Sequence, residues 1–96
     1  MVELISITPS PKADKKYVAK FKTDKGRTKS VHFGAKGYDD FIKSKSEVKK
    51  SAYIARHKVN ENFQDPTTAG ALSRWVLWNK PTLNASIQDY KQRFNL

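Results

Sequence analysis

The side chains that could do acid–base or metal chemistry are few in this chain, which has two histidines and no cysteine. Glu61 follows His57 by four residues, a spacing that puts both on one face of a helix. A histidine and a carboxylate make only two metal ligands, and no third stands at a defined spacing. Asp39 and Asp40 are adjacent, so in a helix they point about 100° apart. They are therefore interpreted as helix-start acids rather than as a catalytic pair.

Phosphate-binding and nucleophile motifs are also absent from the sequence. The turn over 34–37 is too short for a phosphate-binding loop and lacks its final Lys-Ser/Thr pair. No nucleophile elbow occurs. Without cysteine there is no disulfide or thiolate site, which suits a reducing compartment. We therefore expect a protein that is not an enzyme and needs no cofactor or metal. A small nuclease-like enzyme using His57 and Glu61 remains the weakest hypothesis.

Positive charge is the strongest chemical signal. Nineteen Lys and Arg stand against nine Asp and Glu in 96 residues, a formal net charge of +10. The excess falls along the chain, from +6 over residues 1–37 to +3 over 38–59 and +1 over 60–96. Such a charge on a compact domain indicates a polyanionic partner, either nucleic acid or an anionic membrane surface. The alternative is a protein that is merely very soluble.

Alternating apolar residues predict three strands, at Val2–Thr8, Lys15–Thr23 and Arg27–Phe33. The loop over 24–26 has three residues, which places Gly26 in the left-handed position after a type I turn. This loop length pairs Tyr17 with Phe33 and leaves one face of the hairpin apolar, as a half-buried sheet requires.

The outer face of this hairpin is the best candidate for a binding surface. Alternate side chains on a strand lie about 6.5–7 Å apart, close to the spacing of phosphates along one nucleic-acid strand. Lysine and hydroxyl groups in this pattern position a backbone without reading sequence. The alternative is a solvated edge sheet whose lysines prevent aggregation. The candidate residues are Lys16, Lys20, Lys22, Lys25, Arg27, Lys29, Ser30 and His32.

The second half of the sequence predicts helices. Ser46 can cap a helix whose buried line is Val48, Ala52, Ala55 and Val59. Asp65-Pro66 predicts the start of the most buried helix, which runs over 67–78 and carries two tryptophans. The tryptophans are interpreted as core, with base stacking by an exposed tryptophan as the sharper alternative. Thr82 caps a last helix.

Polar residues on the helix after Ser46 allow two interpretations. The face that holds Tyr53 and His57 is either a recognition surface or a buried network satisfied by Glu61 or Asp65, and buried networks are the commoner case. The basic residues of this helix that we add to the candidate binding surface are Lys49, Lys50 and Arg56.

Strands followed by helices predict an α+β fold. We expect a three-stranded antiparallel sheet packed on three or four C-terminal helices. Residues 1–96 form one domain, with a β-meander and basic hairpin over 1–34 and a helical part over 38–96. The start of the chain is too promptly polar for a signal peptide, and no apolar run could span a membrane, so we do not expect secretion.

Four sequence strings resemble a family of small basic proteins encoded by large nucleocytoplasmic DNA viruses of algae and amoebae, such as phycodnaviruses and mimiviruses. The strings are Ser30–Tyr38, Tyr53–His57, Thr68–Trp75 and Trp78–Thr82. The resemblance implies a viral protein, found in the virion or in the nucleus or cytoplasm of the host cell. It favours DNA over RNA as the partner and supplies no active-site residues.

Together these observations predict a non-enzymatic viral protein that binds duplex DNA through its phosphates without sequence preference. The alternative from another class is a structural protein of the virion, such as a minor capsid or internal component. Its basic face would then contact an acidic protein or the inner membrane.

Overall fold

Three antiparallel strands form the N-terminal half of the computed structural model, which describes residues 2–96. They are β1 (Glu3–Pro9), β2 (Lys15–Lys22) and β3 (Thr28–Ala35), and they lie in sequence order in the sheet. The predicted three-stranded sheet is confirmed, with every strand end within two residues of its predicted place.

The register of the β2–β3 hairpin is the predicted one. Tyr17 pairs with Phe33, and their rings stack with centroids 6.0 Å apart. Gly26 has φ +77°, the left-handed conformation that the three-residue loop requires of it. The loop is closed by Thr23, whose backbone N–H donates to the carbonyl of Arg27 over 2.8 Å.

Helices make up most of the second half, and the predicted α+β architecture is confirmed. Each α-helix begins at a residue whose side-chain oxygen accepts a hydrogen bond from a backbone N–H three residues on. The predicted caps Ser46 and Thr82 are among them. The helices are α1 (Phe41–Ser44), α2 (Glu47–His57), α3 (Ala69–Leu72) and α4 (Leu83–Phe94).

The tryptophan segment differs from its prediction in two ways. Its helix begins after Thr68 rather than at Pro66, because the Thr68 hydroxyl accepts from the Ala71 N–H. The helix then widens into a π-helical segment over Ser73–Leu77, closed by a 3.0 Å bond from the Trp78 N–H to the Ser73 carbonyl. Wide turns of this kind are rare inside α-helices and are frequently found at functional sites.

One face of the sheet packs against the π-helical segment and the helices to form the core. The predicted contacts between the sheet and the helical half are confirmed, since Phe21 and Phe33 share this cluster with Leu72 and Val76. Both tryptophans are buried, which confirms their interpretation as core residues.

The predicted buried face of α2 is wrong. Val48 and Val59 are 81% and 76% exposed, and the two alanines between them also face solvent. The helix instead buries Tyr53 and packs Ile54 against the core. Tyr53 stacks there on Trp78, with ring centroids 4.8 Å apart, and such ring pairs stabilise packing beyond the area that they bury.

Candidate nucleic-acid interface

The tip of the β2–β3 hairpin presents four exposed cations, which we call the tip surface: Lys20, Lys22, Lys25 and Arg27. The strands hold the first two on the outer face, where they lie opposite Ser30 and Thr28. None of the four side chains forms an ion pair with another residue of the described range, 2–96. Their charge is therefore available to an external anion.

Two further candidates extend this surface. Ser30 is exposed beside Lys20 on the outer face, with its hydroxyl open to a hydrogen-bonding partner. Lys29 points to the opposite face of the strand, where its ammonium lies 3.4 Å from the Thr67 hydroxyl. Ser30 thus adds to the outer face, whereas Lys29 borders the helical half.

The middle of the outer face is less open than predicted. His32 is half-buried, and its Nδ1 lies 2.7 Å from the Ser10 hydroxyl. Val18, directly opposite His32, is only 4% exposed although it belongs to the same face as Lys20. His32 therefore holds the β1–β2 connection in place, and the outer face is basic mainly towards the tip.

The prediction that Lys16 lies free on the outer face is wrong. Its ammonium donates to Asp40 Oδ2 over 2.6 Å and to the Tyr38 carbonyl over 2.7 Å, and its side chain is only 17% exposed. After β3 the chain turns back, with the Lys36 N–H bonded to the Asp14 carbonyl. This return places a buried acid over Lys16, where each charge compensates the other.

The α2 candidates differ in their surroundings. Lys49 is exposed but forms an ion pair with Asp39 over 2.7 Å, and this hydrogen bond holds the pKa of Asp39 below its usual value. Lys50 is half-buried, donates to the Asn79 carbonyl over 2.8 Å and lies over the Phe41 ring. Arg56 alone is exposed without an ion pair in the described range. Of these three residues, Arg56 is thus available to an external anion, whereas Lys50 is used in packing.

A cavity of about 620 Å³ opens at the other end of the hairpin, between β3, α2 and the π-helical segment. Gly34 lines it with φ +77°, and a Cβ atom there would come within 2.7 Å of Leu77. The glycine thus lets the strand approach the helical half closely. The cavity lining includes three basic residues that reach solvent, Lys15, Lys49 and Arg56, and we call this basic part of the lining the mouth.

A stack of three rings forms one wall of the cavity. Tyr53 lies between His57, with centroids 4.2 Å apart, and Trp78, at 4.8 Å. Burial and the negative charge of Glu61 raise the pKa of Tyr53 to about 12, so its hydroxyl stays protonated at neutral pH. The outermost ring is His57, whose side chain is 40% exposed.

Glu61 is an acidic residue of the cavity lining. Its Oε1 lies 3.4 Å from His57 Nδ1, while its Oε2 is buried without a hydrogen-bond partner. A Cβ atom at Gly70 would come within 2.9 Å of the carboxylate. Of the predicted network only the contact between His57 and Glu61 is present, since Tyr53 meets His57 through stacked rings and Asp65 accepts from Thr67 instead.

Sequence reasoning found the His57–Glu61 pair but missed the cavity around it. Gly34, Gly70 and Ser73 line this cavity from three separate elements, and no local spacing joins them. The useful signal was the clustering of Tyr53, His57 and Glu61 at helical spacing. The cluster forms a wall of the cavity because Tyr53 packs against Trp78, a contact that local spacing does not predict.

Neither a metal site nor a membrane span emerges from the described part of the chain. Across residues 2–96, no three His, Asp or Glu side chains lie close enough together to hold a metal ion. No helix within that range has the length and apolar character needed to cross a membrane.

The fold and this surface define an α+β protein with a basic hairpin and a neighbouring cavity. Residues 5–57 match a protein family described as a family of unknown function, DUF5754. This match covers more than half of the 96 residues, so the chain belongs to that family. It spans the sheet, α1 and α2. No curated protein and no solved structure matches the chain.

Proposed function

We propose that this protein binds nucleic acid through the phosphate backbone, without catalysis and without sequence preference. The observation that carries the proposal is the tip surface, four exposed cations that lack an ion-pair partner within residues 2–96. Duplex DNA is the preferred partner, because the resemblance to proteins of large DNA viruses favours it. The same resemblance supports a viral origin and a place in the virion or in the infected host cell.

Unpartnered cations on a rigid hairpin suit a repeating anion. Lys20 and Lys22 project from one face of β2, about 6.5–7 Å apart along the strand. Binding of each to a phosphate releases condensed counterions, which supplies most of the affinity in nonspecific complexes. Lysines and a serine hydroxyl contact phosphate oxygens and read no base edges, so the expected affinity is nearly independent of sequence.

The proposal rests on the tip and not on every basic residue. Lys16 and Lys49 are paired with Asp40 and Asp39, and Lys50 is used in packing. A phosphate approaching these positions would have to displace a carboxylate or a carbonyl already bound. Among residues 2–96, no carboxylate forms an ion pair with a cation of the tip surface.

The test is the salt dependence of duplex binding. A triple variant, Lys20→Gln, Lys22→Gln and Arg27→Gln, should flatten the slope of log affinity against log salt by about 2–3 units, at about 0.9 per phosphate contact. The loss should be similar for unrelated duplex sequences, because phosphate contacts carry no sequence information. Fluorescence anisotropy at several salt concentrations measures both quantities.

A matched control separates the tip surface from net charge. Lys43, Lys80 and Lys91 are exposed on the helical half and form no ion pair within residues 2–96. Their joint replacement by Gln removes the same charge and should leave most of the slope. Equal slopes for both triple variants, or a tip variant with the wild-type slope, would refute the proposal.

One observation favours a protein-partner function as the alternative. The apolar residues Val48, Ala52 and Ala55 on α2, and Val59 just after it, are exposed to solvent beside basic residues. Apolar side chains aligned on a surface are typical of contact sites, although this line is narrow. A virion structural protein would use it against an acidic partner, and its DNA binding would be weak at physiological salt.

A further inference from the structure

We propose that the cavity between β3, α2 and the π-helical segment is a nucleotide-binding site. A planar base would stack on His57 and donate hydrogen bonds to Glu61, while the phosphate would lie at Arg56 and Lys15. This inference goes beyond the backbone binding assigned to the tip surface and does not depend on it.

The cavity has the dimensions and composition of a small-molecule site. Its volume of about 620 Å³ lies within the range of about 300–1,000 Å³ that such sites occupy. Phe33, Leu77 and Trp78 supply apolar walls, and the lining also holds Glu61 and the basic residues of the mouth. Apolar walls with a few convergent polar groups are the usual construction of a ligand pocket.

The ring stack offers a platform for a base. Tyr53 has both faces covered, by His57 and by Trp78, and Trp78 is only 8% exposed. His57 ends the stack, and its side chain is 40% exposed. Aromatic and histidine rings are the surfaces on which proteins stack unpaired bases. A base inserted beside His57 would be the fourth member of this stack.

Glu61 supplies an unsatisfied acceptor in the cavity lining. Its Oε2 is buried and has no donor, which is costly for a carboxylate oxygen. Its side chain is 33% exposed, so the carboxylate can turn towards a donor entering the cavity. Guanine matches it best, since N1–H and the 2-amino group are adjacent donors that fit the two carboxylate oxygens. Uracil offers a single N–H that lies between two carbonyl oxygens, and the carboxylate repels both of these oxygens.

The mouth of the cavity supplies the opposite charge. Arg56 and Lys15 line it, and neither side chain forms an ion pair with another residue between 2 and 96. Lys49 and Lys16, which also line the cavity, are held by Asp39 and Asp40. An anionic group at the mouth and a hydrogen-bond donor at Glu61 would orient the nucleotide in one direction.

The π-helical segment is an independent indication of a functional site. It places Ser73 and Leu77 along the cavity wall, with Trp78 directly after it. A π-turn is less favourable than an α-turn, and it is frequently found at functional positions.

The first measurement is a titration of the full chain by ¹H–¹⁵N NMR with guanosine monophosphate (GMP) and, separately, uridine monophosphate. GMP should shift the amide signals of Gly34, His57 and Gly70, and it should bind about tenfold or more tightly than the uridine nucleotide. An absence of binding, or shifts confined to the tip surface, would overturn the proposal.

Variants then test the acidic and the basic parts of the lining separately. Glu61→Gln should lower GMP affinity about tenfold and should not weaken the uridine nucleotide, whose carbonyl oxygens the carboxylate repels. Glu47→Gln is the matched control, since Glu47 is exposed in the first turn of α2 and does not line the cavity. Equal GMP affinity for wild type and Glu61→Gln would contradict the role of the carboxylate.

Arg56→Gln should weaken GMP about tenfold and leave uncharged guanosine unaffected, because only the phosphate contacts the mouth. Lys58→Gln is its control, at the C-cap of the same helix and outside the cavity lining. Both replaced side chains are exposed, so the amide spectrum of each variant should remain that of the folded protein. A loss of guanosine binding in Arg56→Gln would contradict the assignment of the mouth.

Two further arms define the source of the nucleotide and the independence of the site. A short single strand with a terminal 5′-phosphoguanosine should compete with GMP. Tighter binding of the strand than of GMP would identify a strand end as the ligand. Equal binding of the two would identify a free nucleotide. Either result supports the chemistry proposed for the cavity. The tip variant, with Lys20, Lys22 and Arg27 replaced, should bind GMP as the wild type does. If it does not, the shifts come from the tip surface and the cavity proposal is wrong.

Discussion

Two basic regions of this molecule use their charge in different ways. At the hairpin tip, Lys20 and Lys22 are exposed without an ion pair in the described range, 2–96. Where β2 meets α1 and α2, Lys16 and Lys49 are held by adjacent acids, Asp40 and Asp39. The same residue type is thus a free charge in one region and a structural element in the other. Availability, and not the density of lysines in the sequence, distinguishes a binding surface.

The difference follows from where the acids fall in the chain. Asp39 and Asp40 directly precede α1. Asp40 is the N-cap of this helix, because its side-chain oxygen accepts a hydrogen bond from the Lys43 N–H. A carboxylate buried to 6% exposure needs a cation, and Lys16 is the one that the sheet brings to it. The tip of the hairpin has no such buried acid.

The largest expected effect comes from removing the acid that holds Lys16. Asp40→Ala deletes the cap of α1 and leaves the Lys16 ammonium with only the Tyr38 carbonyl. Because the pair is largely buried, we expect the free energy of unfolding to fall by about 3 kcal/mol, measured by urea denaturation. Asp14→Ala, at an exposed position, is the control and should change it by less than about 0.5 kcal/mol. A similar loss of unfolding free energy in both variants would show that the acid paired with Lys16 contributes no more to stability than an exposed acid does.

An intermediate effect is expected at acid pH from Asp89 in α4. Burial would raise the pKa of Asp89, but the hydrogen bond from Asn79 and the charge of Arg93 outweigh it and hold the pKa below 3.8. A lowered pKa stabilises the fold above the unfolded-state value, and this contribution is lost as the pH falls through the folded-state value.

The corresponding variant is Asp89→Asn, which keeps an acceptor for Asn79 but removes the charge. At neutral pH the wild type should have the larger free energy of unfolding, and the difference between the two proteins should disappear below about pH 4. Thermal unfolding at several pH values measures it. A difference that persists at about pH 2 would show that the charge of Asp89 is not what stabilises this end of the fold.

The smallest expected effect is at the tip surface itself. Lys20→Gln with Lys22→Gln should change the free energy of unfolding by no more than about 0.5 kcal/mol, because exposed side chains without partners contribute little. Urea denaturation beside the Asp40 variant makes the comparison direct. A loss above about 1 kcal/mol would mean that these lysines are structural, as Lys16 is.

The sheet could be derived from sequence because its rules are local. A three-residue loop sets the pairing of Tyr17 with Phe33, and period-two alternation leaves only one face that can be buried. Helix starts at Ser46 and Thr82 were equally accessible, since a cap and its N–H partner lie three residues apart. The tip surface followed from the same register.

The buried face of α2 could not be derived in this way. Aliphatic spacing favours Val48 and Val59, but the helix is rotated so that Tyr53 stacks on Trp78, which lies 25 residues further along the chain. The regular spacing of these aliphatic residues does align them along the helix, but the side chains so aligned are exposed to solvent. The stack of Tyr53 on Trp78 decides the orientation, and this contact exists only once the tryptophan segment has folded against the helix.

Local pattern therefore set the strands, their register, the helix caps and the net positive charge, because each depends on residues a few positions apart. Long-range packing decided which lysines are free, which face of α2 is buried, and that a cavity forms around His57 and Glu61. These outcomes depend on Asp40 reaching Lys16 and on Gly34 approaching Leu77, contacts between residues 24 and 43 positions apart. Burial of a charge or a ring is favourable only against a specific neighbour, and that neighbour is supplied by the fold.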